Sequence, residues 1–312
     1  MNTGIFRATA IVLLFFTLAA CDPAPQDVPE TGEAPAASDS DSGAPLEVGE
    51  HQWTTDDGNT VPYTVTGEGD ATVVLVHCWM CDRTFWSEQV PALSEHYRTI
   101  ALDLPGHGEA TANRENWTVS AFGEDVAGLI EDLGLDNVVL VGHSMGGPVS
   151  LRAAAQLGDR VRGIVAVDTL HNADAEFSGE QVDAFISAME ADFEGTCSGF
   201  VQQMFPEEGV DETMAQVQES SCAEGHAEAG TALIKDFGRI DMGQWMSEAG
   251  VPIRAINAAA PNPTLVEVNR KYADFDAVLV EDVGHYLHMT RPEKFNPLLL
   301  AAIDGILLEA RQ

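Results

Sequence analysis

Two runs of apolar residues constrain this chain more than any other feature. ATVVLVH (71–77) and NVVLVGHS (137–144) carry no charged residue, and their branched aliphatic side chains point to both faces of an extended strand. A strand apolar on both faces must be covered on both sides, which is how parallel sheets clothed in helices are built. The segments around these runs fit that demand. RTIALDLPGHG reads as a strand closed by Pro105 and Gly106, and VRGIVAVDT as a further strand. TVSAFGEDVAGLIEDLGL has helical spacing at Phe122, Val126, Leu129, Ile130 and Leu133. MGGPVSLRAAAQLG is a second helix, ending near Gly158. Strands alternating with helices predict an α/β fold, a doubly wound and mostly parallel sheet. HQWTTDDGNTVPYTVTG reads as a hairpin turning at Asp57-Gly58.

The alternation breaks at residues 171–242, a helical segment with bulky apolar residues such as Phe185, Phe193, Phe200 and Phe205. It resumes with VPIRAIN and FDAVLVEDVGH, then a last helix from about Pro292 to Leu308. An insertion after the sixth strand predicts a helical cap over the carboxyl ends of the sheet, where ligands bind in open α/β folds. Most of its apolar residues are expected to form the cap's own core. The chain has 312 residues, 45% of them hydrophobic, enough for one large domain. Its net charge of -35, with Lys235, Lys271 and Lys294 as the only lysines, argues against nucleic acid as a partner.

The first twenty residues have a positive n-region at Arg7 and an apolar run from Ala8 to Ala20. That run is too short to span a bilayer but suits a signal peptide. It ends in LAAC, which resembles the bacterial lipobox. The resemblance implies a lipoprotein signal peptide at 1–20, a diacylated, N-acylated Cys21 that anchors the exported protein to a membrane, and a face toward the periplasm or cell exterior. Residues 22–50 hold no Lys, Arg or aromatic residue and many Pro, Ala, Ser, Asp and Glu. Residues 21–50 therefore read as a lipidated cysteine and a disordered tether, leaving one domain over 51–312.

Gly142-His143-Ser144-Met145-Gly146 follows a strand and precedes a helix, the setting of a nucleophile elbow. With DLPGHG (103–108) and VGHYLHMTRPEKFN (283–296), this motif makes residues 51–312 resemble the α/β-hydrolase superfamily, its cap-bearing esterase-like branch. The resemblance implies an eight-stranded sheet, Ser144 as nucleophile and His285 as general base, with His288 a competitor one turn on. A serine at the elbow, where epoxide hydrolases and haloalkane dehalogenases of this fold use aspartate, points to acyl transfer.

The third triad member departs from the usual pattern. Most relatives place an aspartate after the seventh strand, where this chain has INAAAPNPT with Asn262-Pro263. VRGIVAVDT ends in Asp168, in register with relatives that carry the acid after the sixth strand. Asp168 is the expected acid, with Asn262 or Asp282 as the alternative partner of His285.

HCWMCDRTFW (77–86) pairs a histidine with Cys-x-x-Cys and admits three readings: a redox pair, a zinc site without an evident fourth ligand, or an oxyanion loop. The resemblance favours the third, because the third strand of these folds ends in His-Gly-x. Here Cys78 replaces the glycine, and the implied oxyanion donors are the N–H groups of Trp79 and Met145. Beyond Cys21 four cysteines remain, which allow three full pairings; Cys197 and Cys222 both fall in the cap and are a candidate disulfide. No metal or organic cofactor is called for.

These features lead to a serine carboxylesterase for small or medium apolar acyl substrates. Carbon–carbon bond hydrolysis, release of N-terminal proline and peracid synthesis are alternatives within the class. A receptor with a triad and little turnover is the alternative outside it. Glu190, Asp192 and Glu194 of the cap read as a solvated face or as contacts to a substrate amine.

Overall fold

The computed structural model describes residues 46–175 and 179–310. The signal peptide, Cys21 and most of the tether expected from the sequence lie outside the described residues. The chain enters through a hairpin, β1 (Gly49–Thr54) and β2 (Thr60–Thr66), closed by a turn in which Gly58 takes φ 81°. Pairing of Gly49 with Val65 and Glu50 with Thr64 carries β1 back past residue 50. The expected boundary there thus falls inside a strand, because ladder hydrogen bonds use the backbone and are indifferent to a polar composition.

β3 (Thr72–Val76), α1 (Val90–Ser94), β4 (Arg98–Leu102), α2 (Val119–Asp132), β5 (Val138–His143), α3 (Gly146–Leu157) and β6 (Val161–Val167) follow. Five helices then precede the next strand: α4 (Gly179–Ala191), α5 (Phe193–Gln203), α6 (Asp211–Ser221), α7 (Ala227–Phe237) and α8 (Met242–Ala249). The chain ends with β7 (Ile253–Ala258), α9 (Val266–Asn269), β8 (Phe275–Val280), α10 (Leu287–Thr290) and α11 (Pro292–Glu309). The eight strands form one sheet in the order β1-β2-β4-β3-β5-β6-β7-β8. β2 runs antiparallel to β1 and β4, and the pairs from β4 to β8 are parallel.

Every residue of β3 and β5 is buried, as their composition requires. Side chains alternate across a strand, so each run supplies two cores. Val73, Leu75, Val139 and Val141 pack with Phe295, Leu299, Ile303 and Ile306 of α11. Val74, Val76 and Leu140 pack on the other side with Phe122, Val126 and Leu129 of α2 and Val149 of α3. The second core continues without a break into the inserted helices, through Cys78, Met80, Cys81 and Phe85 to Phe193, Cys197, Val217, Cys222 and Leu233. The inserted helices therefore sit on the loop that follows β3 as an extension of the main core.

That loop is tied to the next one by a buried charge. Asp103, fully buried after β4, accepts hydrogen bonds from the backbone N–H of Arg83 at 2.7 Å and of Glu109 at 2.9 Å, and pairs with the Arg83 guanidinium. A buried carboxylate is tolerable only with such partners. Arg83→Ala strands it, and unfolding in urea should show a loss of about 3 kcal/mol or more.

Candidate active site

Ser144 stands in the turn between β5 and α3 with φ 52°, a left-handed conformation costly for a residue with a side chain. The turn is pinned by the Ser144 N–H donating to Val167 O and the Gly147 N–H donating to Ser144 O, each at 3.0 Å. The glycines on either side are steric necessities. A Cβ at Gly142 would overlap Gly146 O, and one at Gly146 would overlap Val76 O and lie 2.8 Å from His77 O. The serine is thereby held at the head of α3, whose N-terminus favours negative charge.

His285 sits between β8 and α10. Its Nδ1 is 2.6 Å from Asp168 Oδ2, leaving Nε2 as the nitrogen that can serve Ser144. Its backbone is clamped as well: the N–H donates to Met204 O of the inserted helices at 3.0 Å, and the C=O accepts from His143 Nε2 at 3.0 Å. Gly284 permits this approach, since a Cβ there would overlap Met204 O and lie 2.6 Å from Pro206 Cδ.

Asp168 directly follows β6 with φ 42° and is buried. Its Oδ1 accepts from the Ala258 N–H at 2.8 Å, and its own N–H donates to Ile256 O at 3.1 Å, so the end of β7 orients the carboxylate. The acid and the histidine are brought together across the sheet from positions 117 residues apart. Asn262 is exposed in the loop after β7, and Asp282 is exposed before the histidine.

A residue of β7 that no motif marks shapes the loop of Asp168. Buried Asn257 donates to Thr169 O and Thr264 Oγ1, each at 2.9 Å, and accepts from the Thr169 N–H at 3.2 Å. Thr264 Oγ1 in turn hydrogen-bonds with His171 Nδ1 at 3.2 Å, and His171 Nε2 lies 3.8 Å from Asp168 Oδ1. His143 holds the His285 loop, a role that its place before the serine of the elbow does not signal. The only signal for Asn257 in the sequence is an amide beside the apolar residues Ile253, Ala255, Ile256 and Ala258 of its strand.

The HCWMCD loop occupies the space across from Ser144. His77 is fully engaged: Nδ1–H donates to Cys78 O at 2.8 Å and Nε2 accepts from the Leu104 N–H at 2.9 Å. Neither nitrogen is left for a metal. Cys78 and Cys81 form a disulfide, as do Cys197 and Cys222 in the cap. Among the described residues, the backbone N–H groups of Trp79 and Met145 have no protein acceptor. The Trp79 ring leans on the cap, with Nε1 donating to Gly230 O at 3.0 Å and the ring centres of Phe193 and Phe200 6.2 and 6.3 Å away. Glu190, Asp192 and Glu194 are exposed, and Asp192 caps α5 by accepting from the Gly195 N–H.

Behind the pair lies a cluster of buried imidazoles. His288 is fully buried, 4.4 Å from His143 and 4.8 Å from Trp86 between ring centres, and neither of its nitrogens has a hydrogen-bond partner. It belongs to the core and offers no rival base. Burial pushes its pKa down to about 3, and pushes His77, His107 and His143 down as well.

Residues 71–207 match the family model described as the alpha/beta hydrolase fold. The dihydrolipoyllysine-residue acetyltransferase component of the acetoin cleaving system of Cupriavidus necator is 27% identical over 275 residues, 82% of this chain and 69% of that one. The (E)-2-((N-methylformamido)methylene)succinate hydrolase of Acinetobacter baylyi is 25% identical over 252 residues, 78% of this chain and 94% of the relative. The solved esterase of Exiguobacterium antarcticum superposes with a TM-score of 0.72 at 21% identity, over 81% of this chain and 98% of that one. With its eight-stranded sheet and strand–elbow–helix, the chain has the alpha/beta hydrolase fold.

The buried histidines set an acid limit on stability. Each is held neutral in the folded chain and takes up a proton on unfolding below about pH 6.5, so the unfolded state binds more protons and stability falls as pH falls. Urea midpoints should drop steadily from about pH 6.5 downward, and His288→Phe should flatten that slope.

Proposed function

We propose that the protein is a serine hydrolase acting through an acyl-enzyme, and specifically a carboxylesterase for neutral, apolar acyl groups. The observation that carries this reading is the His285–Asp168 pair at 2.6 Å, clamped by His143 to the strained Ser144 elbow. In this reading His285 Nε2 takes the Ser144 proton as Oγ attacks the ester carbonyl. Asp168 steadies the resulting imidazolium and its tautomer. The unpaired N–H groups of Trp79 and Met145 receive the oxyanion, at the head of α3. His285 then returns the proton to the leaving alcohol, and water repeats the sequence on the acyl-enzyme.

Substrate preference follows from the surroundings. Trp79, Phe193, Phe200 and Phe185 form a linked aromatic wall. Residues 171–242 carry sixteen carboxylates and only Lys235 and Arg239 as permanent cations. Such a field repels anionic substrates and admits neutral ones.

A fluorophosphonate probe should label the wild type and not Ser144→Ala. Across p-nitrophenyl esters of rising acyl length, neutral esters should be turned over and a hemisuccinate ester should be poor. Asp168→Asn should lower kcat by about four orders of magnitude, while Asn262→Ala leaves it nearly unchanged. Labelling without turnover of any ester would favour the receptor alternative.

We also propose that Cys21 is lipidated and tethers the domain to a bacterial membrane. The support is the LAAC sequence closing the apolar run. Palmitate labelling of the wild type in a bacterial host, lost in Cys21→Ser together with sedimentation in the membrane fraction, is the expected result.

A further inference from the structure

The loop between His77 and Asp82 has one donor to aim. Trp79 N–H belongs to the peptide group whose carbonyl is Cys78 O, and in a planar trans peptide the two point in opposite directions. Whatever anchors Cys78 O therefore aims the Trp79 N–H. That oxygen accepts twice, from His77 Nδ1–H at 2.8 Å and from the Cys81 N–H at 3.2 Å. The next residue, Met80, is held at φ 53°, a conformation a methionine leaves when it is free to do so. The Cys78–Cys81 disulfide closes the same four residues into a ring, with the two Cα atoms 5.2 Å apart.

The ring is sealed from solvent. Cys78 and Cys81 are 2% and 1% exposed, and the cap lies over them, with Ser221 Oγ 4.0 Å from Cys81 Sγ and Ser220 Oγ donating to Asp82 Oδ2 at 3.0 Å. A pair buried in this way is not placed to exchange disulfides with another protein. A cross-link closing only four residues also removes little chain entropy on unfolding compared with long-loop disulfides. Its geometry has a more direct consequence, which is the direction of one N–H.

We propose that Cys78 and Cys81 are positioning residues whose disulfide aims the Trp79 N–H at the oxyanion. The inference rests on the hydrolase reading above. Opening the disulfide lets Met80 leave its left-handed conformation, turns the 78–79 peptide, and weakens one of two oxyanion donors.

The test is steady-state kinetics on a neutral p-nitrophenyl ester with the wild type, Ser144→Ala and the double variant Cys78→Ala/Cys81→Ala. Alongside, wild type is unfolded in urea and refolded with and without a phosphine reductant, so that the sealed pair is reached, and the state of each cysteine pair is read by alkylation and mass spectrometry. The expected result is a kcat lower by about 10- to 100-fold with KM nearly unchanged, since an oxyanion donor acts chiefly in the transition state. Wild type with the 78–81 bond open should show the same loss and recover on reoxidation, which serves should the double variant not fold. A cross-link that only stabilised the fold would lower the melting temperature and leave kcat intact well below it. An active wild type whose kcat is indifferent to opening the bond overturns this inference alone. A wild type with neither turnover nor Ser144 labelling overturns the hydrolase reading and this role with it.

Discussion

The whole site depends on one close approach between two strand ends. The elbow after β5 lies against the end of β3 so tightly that Gly146 has no room for a side chain beside Val76 O and His77 O. This contact sets the serine against the HCWMCD loop, and the parallel pairing of Val76 with Gly142 brings both to the same edge of the sheet. It also accounts for the backbone strain at Ser144. A left-handed serine persists only where surrounding contacts over-determine it, and here Gly142, Val167 and the start of α3 do so.

Around that contact the structure spends polar groups on rigidity. His77 joins the loop after β3 to the loop after β4, Arg83 and Asp103 join them again, and His143 joins the elbow to the loop of His285. Each of these groups is buried or nearly so. Each is costly unless its partners are in place, so the connections cannot be loosened one at a time. The inserted helices take part in the same way, through Met204 O on the His285 backbone and Gly230 O on the Trp79 indole. They carry two of the contacts that hold the site's residues in place.

The orientation of Asp168 has a physical explanation in β7. After this strand the chain has an exposed Asn262, and the polar work falls to Asn257 inside the strand. Its amide holds both the Thr169 backbone and the Thr264 hydroxyl, and the neighbouring Ala258 N–H holds Asp168 itself. β7 thus orients the carboxylate that stands at the end of its neighbour. A β6 aspartate can reach His285 because β6 and β7 pair directly, in parallel register, up to Val167 and Ile256.

By itself the sequence determined the layered architecture, the elbow and its serine, the histidine loop, and Asp168 as the best carboxylate. These depend on patterns local in the chain: apolar runs, small residues flanking a tight turn, and a polar residue at the end of a buried strand. Only the tertiary structure decided what His77, His143, His171 and Asn257 do, because each bonds to groups brought in by a different loop, most of them far off in the chain. It also decided the fate of the cysteines. Cys-x-x-Cys is compatible with metal, redox and structural roles at identical spacing. The distinction came from what surrounds the sulfurs: a histidine with both nitrogens already engaged, a cap that excludes solvent, and an unpaired N–H in the ring they close.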